Sequence, residues 1–317
     1  ESLSSLAPAE RNKRYHQIMS SSATPDGAVS SQTQARLKGK SVLLTGATGG
    51  LGSELARQIL QHCQVKTLIL SGRNPEALQK MANELQQEET GGGHSSESTS
   101  TEIVCIPCDL SDRNSVQQLG IQALQKQEKI DCLILCGGVS SRSNFVNTKL
   151  EIDERIMQIN FLSGVALCKL LVPAMMENTD TASPTDAGII LWISSVQGLV
   201  GIPSRTSYAA SKFAVQGYCE ALRAELTPSH IQVSCVSPGY IRTNLSNNAL
   251  QGDGSSYGKL DDTTANGADP RDVAVEVLDK AVGDHRTDFV VAATASAKAA
   301  IWMRLLCPGI LQSLLVK

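Results

Sequence analysis

Residues 41–60 hold the most restrictive pattern in the chain. An apolar run, Ser41-Val42-Leu43-Leu44-Thr45, breaks into Gly46-Ala47-Thr48-Gly49-Gly50-Leu51-Gly52. Beyond it Leu51, Leu55, Ala56, Ile59 and Leu60 recur at helical spacing. A buried strand that turns through glycine directly into a helix is the opening unit of a parallel sheet wound with helices. The spacing is T-G-x-x-x-G-x-G. Gly46 suits the tight turn, Gly50 the close approach of backbone N–H groups to a pyrophosphate, and Gly52 the packing of helix on sheet. Thr48 and Leu51 belong to the same turn. No Gly-Lys-Ser/Thr follows, which excludes a nucleoside-triphosphate loop.

The alternation then repeats. Apolar strand patterns fall at 65–70, 103–108, 132–135, 189–193, 231–236 and 288–292. Helical periodicity falls at 76–89, 116–127, 152–176 (one long helix or two), 208–226 and 271–282. Near-continuous Val/Ile/Leu strands between helices require a parallel sheet covered on both faces. The expectation is an α/β chain with a doubly wound parallel sheet of about seven strands, Rossmann-type, in a single domain. Residues 1–36 are polar and aperiodic and read as a flexible arm, and 37–293 as the folded domain. Within it, the stretch 91–96 reads as a flexible surface insertion with His94 exposed. Residues 244–269, after a strand's carboxyl end, read as a substrate lid. The last segment, 294–317, is an apolar tail broken by Arg304, Pro308 and Gln312, suited to an interfacial helix or a lid, or else to packing on its own domain or a dimer mate.

The chain is 317 residues long with net charge −3 and 3% aromatic residues, which argues against a nucleic-acid partner. Nine cysteines are too sparse for a disulfide scaffold and read as reduced core thiols. Cys105 and Cys108 fall three apart on a strand, so they face opposite ways and hold no metal. The sequence starts at Glu1, which leaves room for a targeting or anchoring segment upstream. No uninterrupted apolar run reaches about 18 residues.

The second strand ends in Ser71-Gly72-Arg73, where a carboxylate would select NAD. Gly72 offers none, and the Arg73 guanidinium matches a 2′-phosphate, so NADP(H) is the expected cofactor. Asp109-Leu110, after the third strand, is placed to meet an adenine. Tyr208 and Lys212, at i and i+4, share a helix face, and Ser195 follows the fifth strand. A neighbouring ammonium is expected to lower the phenol's pKa, letting Tyr208 exchange a proton while Ser195 holds the developing oxyanion. Lys212 can also reach the nicotinamide ribose, and Asn160 is expected to anchor a relay water. Gln197, Arg205, Tyr240 and Tyr257 are expected around the substrate, with Arg205 and Lys259 able to meet a phosphate.

Together TGATGGLG at 45–52, SGR at 71–73, CDL at 108–110, ISS at 193–195, YAASK at 208–212 and SPGYIRTNL at 237–245 resemble the short-chain dehydrogenase/reductase family from Lys40 to about Ala292. The resemblance implies a catalytic tetrad of Asn160, Ser195, Tyr208 and Lys212. It also implies that Pro238, Gly239, Ile241 and Thr243 border the nicotinamide and that homodimers are usual. Where the family carries Asn-Asn-Ala-Gly this chain has Leu135-Cys136-Gly137-Gly138, which keeps Gly138 but loses an Asn that ties strands together. Further segments (SSVQGLVGIPSRTSYAASK, DGSSYGKLDDTTANG, RLLCPGIL) resemble the family's membrane-associated peroxisomal/endoplasmic-reticulum branch of acyl/alkyl-dihydroxyacetone-phosphate reductases. That branch implies a lipid-like substrate, peripheral membrane contact, and a catalytic domain facing the cytosol at one of those membranes; the alternative is a cytoplasmic protein. The alternatives are a steroid or retinoid dehydrogenase-reductase, and a catalytically silent nucleotide-binding scaffold.

Overall fold

The computed structural model describes residues 27–91, 101–177 and 188–316. Its frame is a seven-stranded, wholly parallel sheet in the order β3-β2-β1-β4-β5-β6-β7. The strands are β1 (Ser41–Thr45), β2 (Thr67–Gly72), β3 (Glu102–Pro107), β4 (Cys132–Leu135), β5 (Ile189–Ile193), β6 (Gln232–Pro238) and β7 (Asp288–Val291). The order reverses between β1 and β4, and the crevice outside the carboxyl ends of those strands is where such sheets bind ligands.

Side-chain alternation explains why the strands read as unbroken apolar runs. Val42 and Leu44, Leu68 and Leu70, and Ile189, Leu191 and Ile193 enter one core. Leu43, Ile69, Ile190 and Trp192 enter the other. The first is covered by α1 (Ser31–Leu37), α2 (Gly50–His62), α3 (Pro75–Gly91) and α8 (Pro270–Leu278). The second is covered by α4 (Arg113–Lys126), α5 (Leu150–Glu177) and α6 (Thr206–Leu226). A short α7 (Asp262–Ala265) lies in the lid, and α9 (Ala295–Leu306) and α10 (Pro308–Leu315) follow β7. Helix α5 is long and apolar enough to cross a membrane, yet half of its most apolar window is buried and Leu167, Leu171 and Met175 fill the second core. It is a core helix.

Two expectations need correcting. The N-terminal arm does not run to residue 36: Val29 and Leu37 are fully buried, and α1 is docked by Asp279, whose carboxylate accepts from Ser30 N–H (2.8 Å) and Thr33 Oγ1 (2.7 Å). Polar composition concealed a segment that contributes only two apolar side chains but anchors itself on one buried carboxylate. Residues 1–26 and most of the 91–96 insertion, His94 included, lie outside the described residues. The last strand stops at Val291 because Ala292 takes a left-handed φ of +51° that ends the ladder. Cys105 and Cys108 do face opposite cores.

Candidate active site

A cavity of about 380 Å³ opens along the carboxyl ends of β1, β2, β4, β5 and β6. At one end lies the glycine turn. Gly46 has φ +68°, and a Cβ on Gly52 would stand 2.1 Å from the Gly46 carbonyl oxygen, so neither position accepts a side chain. No side chain caps α2 at Gly49, which leaves its first-turn N–H groups facing an anion site. Thr48, Gly50, Leu51, Arg73, Asp109 and Leu110 line this end. Gly138, Pro238, Gly239, Ile241 and Thr243 line the middle. An uncapped helix start, glycines that bar Cβ atoms, and a cation where NAD sites carry an acid together fit a 2′-phosphorylated dinucleotide.

The other end holds Ser195, Tyr208 and Lys212. Ser195 Oγ accepts from Gln197 N–H (3.1 Å), and its hydroxyl lies near enough to Tyr208 to favour the phenolate. Lys212 Nζ donates to the Ile193 carbonyl (2.9 Å) and lies 5.8 Å from the Tyr208 ring centroid. All three are buried. Burial pushes the Lys212 ammonium down to about 8, against the opposing influence of the Cys136 and Cys235 thiols. Burial also raises the Tyr208 phenol, outweighing the Ser195 hydrogen bond and the charges of Arg142 and Arg205. The expected lowering by Lys212 is therefore absent in the protein alone: its Nζ is spent on a carbonyl and sits over the ring rather than beside the phenol oxygen.

The side chain of Asn160 serves the fold around the site. It lies at a π-turn, Gln158–Leu162, inside α5, a local distortion common at functional sites. Its amide accepts from Val139 N–H (2.8 Å) and donates to Val139 carbonyl (2.9 Å) and Ser211 Oγ (3.0 Å). It clasps the strand β4 exit from behind and does not line the cavity. A Cβ on Gly138 would lie 3.2 Å from Asn160 Oδ1 and 3.6 Å from Lys212 Nζ, so that glycine separates them.

Of the expected substrate contacts, Gln197 and Tyr240 line the cavity, and Gln197 Oε1 is buried without a hydrogen-bond partner. Arg205 and Tyr257 do not line it. Arg205 points its guanidinium at Asp261 (3.2 Å), and Tyr257 lines a neighbouring polar recess with Arg142. Lys259 is exposed and lines neither.

Sequence reading missed the residue that joins these parts. Asp261 Oδ2 accepts from Arg142 (2.8 and 2.6 Å) as well as Arg205, tying the lid to the β4 exit and to the start of α6. Burial would raise its carboxyl, but Arg142 and then Arg205 hold it below the ordinary value. The one available signal was that Arg142 follows a strand's carboxyl end; Asp261, 119 positions away, carried none. Thr45 was also missed. Its Oγ1 donates to Ile134 carbonyl (3.4 Å) and accepts from Gly137 N–H (3.3 Å), a β1–β4 tie at the segment where the family's Asn is lost.

The short-chain dehydrogenase family model matches residues 40–254. A "dehydrogenase/reductase SDR family protein 7-like" from Anopheles gambiae is 41% identical over 281 residues, covering 88% of this chain and 83% of that one. "Dehydrogenase/reductase SDR family member 7B" from Danio rerio is 40% identical over 275 residues, covering 86% and 84%. Neither name refers to dihydroxyacetone phosphate. Among solved structures, a Sphingobium yanoikuyae short-chain dehydrogenase in complex with NADPH aligns with TM-score 0.66 at 22% identity, covering 88% of this chain and 96% of that one. One from Burkholderia cenocepacia in complex with NADP aligns with TM-score 0.65 at 20% identity, covering 89% and 99%. At that identity they establish the fold.

Proposed function

This chain belongs to the short-chain dehydrogenase family and is an oxidoreductase, and we propose that it interconverts a carbonyl and a secondary alcohol with NADP(H), on a bulky apolar substrate of steroid or retinoid type. The observation that carries the reading is one continuous cavity with Ser195, Tyr208 and Lys212 at one end and the glycine turn with Arg73 at the other. The structural relatives in complex with NADPH and NADP support the choice of cofactor.

The glycine turn would hold the pyrophosphate, Arg73 the 2′-phosphate, and Lys212 the nicotinamide ribose. When bound, NADP(H) supplies or accepts the hydride. Ser195 and Tyr208 then orient the substrate oxygen by hydrogen bonds and support the negative charge it gains during reduction. Tyr208 gives that oxygen its phenolic proton. Lys212, an ammonium below pH about 8, stabilises the phenolate left behind. Asn160 keeps the wall at Gly138–Val139 in place.

A substrate without a phosphate is favoured because neither residue expected to hold one lines the cavity: Arg205 is turned onto Asp261, and Lys259 is exposed elsewhere. Arg142 and Arg205 share Asp261, and Lys212 is held by Ile193. The phosphorylated-lipid expectation loses both its anchors, Arg205 and Lys259. Placement at the endoplasmic reticulum or peroxisome rests on the same resemblance and on nothing in the site.

The test is NADPH oxidation with steroid and retinoid carbonyls beside acyl-dihydroxyacetone phosphates, for the chain and for Tyr208→Phe. Loss of about 100- to 10,000-fold in turnover with NADPH still bound supports the reading. Binding without turnover on every substrate would leave a silent nucleotide-binding scaffold.

A further inference from the structure

After β7 the chain leaves the sheet and forms α9 and α10, packed on each other. A helix pair that is apolar on all sides normally lies inside a protein. Here Leu311 is the only side chain of the two that is buried, while Trp302, Leu305, Leu306, Ile310, Leu314 and the following Val316 are 53–76% exposed. Trp302, Leu305 and Leu306 fall at i, i+3 and i+4, one outward stripe on α9; Ile310 and Leu314 continue it at i and i+4 on α10. Leu311 and Leu315 occupy the inner side of α10. The pair is held beside the catalytic helix, with the Arg304 guanidinium 4.6 Å from the Phe213 ring centroid.

Charge distinguishes the possible occupants. From residue 289 to the end the charged residues are Lys298, Arg304 and Lys317, with no acid, in a chain whose net charge is −3. A second copy bound through the same face would bring like charges together with no carboxylate in the segment to offset them. An anionic bilayer surface complements both the apolar stripe and Lys298, which lies four residues before Trp302 and so flanks the stripe on the same face, where its ammonium can reach headgroup phosphates.

We propose that α9 and α10 form a docking lobe that inserts its Trp302–Leu306 and Ile310–Leu314 stripe into the headgroup boundary of an anionic membrane, with Lys298 against the phosphates. This places the catalytic helix next to the lipid. The inference is independent of which carbonyl is reduced.

The two tryptophans make the test direct, because Trp192 is 2% exposed in the core and Trp302 is 64% exposed in the lobe. The full chain is floated with vesicles of phosphatidylcholine, with and without phosphatidylserine, while tryptophan emission is recorded. The expected result is flotation with the anionic vesicles and a blue shift from Trp302. Leu306→Glu/Ile310→Glu should weaken partitioning about tenfold or more, and Lys298→Glu by about fivefold. These residues line neither cavity, so melting temperature and turnover of a soluble ketone should not change. Absence of flotation overturns the proposal, as does flotation unaffected by Leu306→Glu/Ile310→Glu. A dimer in sedimentation velocity that this double variant abolishes, with no vesicle binding, would assign the stripe to a second copy instead.

Discussion

Asn160→Ala separates a clasp from a participant in the chemistry. The native amide makes three hydrogen bonds, to Val139 N–H, Val139 carbonyl and Ser211 Oγ, at 2.8, 2.9 and 3.0 Å. Ser211 Oγ keeps its own bond to the Tyr208 carbonyl (2.7 Å), so the two Val139 bonds are the real loss. At ~0.5–1.5 kcal/mol per bond, plus the cost of leaving half-buried backbone groups bare, the destabilisation comes to about 2–4 kcal/mol. With a urea slope near the upper value of ~3 kcal/mol per molar, as suits a chain of this size, the unfolding midpoint falls by roughly 0.7–1.3 M. Asn160→Asp is the sharper control: it retains an acceptor for Val139 N–H but sets an oxygen against Val139 carbonyl, and should be at least as damaging. The assay is urea unfolding followed by fluorescence of the buried Trp192, with kcat/KM on the same samples. A stability change below ~0.5 kcal/mol together with lost activity would refute the clasp and return Asn160 to a direct role.

Arg73→Glu should raise the KM for NADPH relative to NADH by roughly 10- to 100-fold, the value of a charge-assisted bond to phosphate; an unchanged ratio in initial-rate assays would sink the assignment. In the reductive direction kcat/KM should fall as pH rises through about 8, because Lys212 is charged below that value and Tyr208, raised by burial, keeps its proton there. A flat profile to high pH would show that neither group titrates in the free enzyme. Asp261→Asn leaves two guanidiniums with no counter-charge and should cost about 3 kcal/mol or more, read by thermal melting. Substrate KM should rise with it as the lid loses its tie, and an unchanged KM would show that the tie does not shape the cavity.

The glycine turn, the strand–helix alternation and the Ser195/Tyr208/Lys212 set were legible because each is local. Gly46 and Gly52 are dictated by a φ and a 2.1 Å approach within one turn, and the apolar runs by burial on both faces of one sheet. The cofactor-end residues were legible for the same reason, since the carboxyl end of a strand is a place that sequence marks. Charge partners are not local. Arg205 read as a free substrate cation until the fold brought Asp261 against it. The tie between the Asn160 amide and Val139 could not be read from the sequence, and α1 read as loose until Asp279 reached it. Sequence by itself determined the sheet, the glycine turn and the grouping of Ser195, Tyr208 and Lys212, whose requirements are met by neighbours in the chain or at strand ends that the pattern marks. Only the tertiary structure decided which cations remain free, how far burial shifts Tyr208 and Lys212, and which apolar face is left uncovered, because each depends on groups distant in sequence.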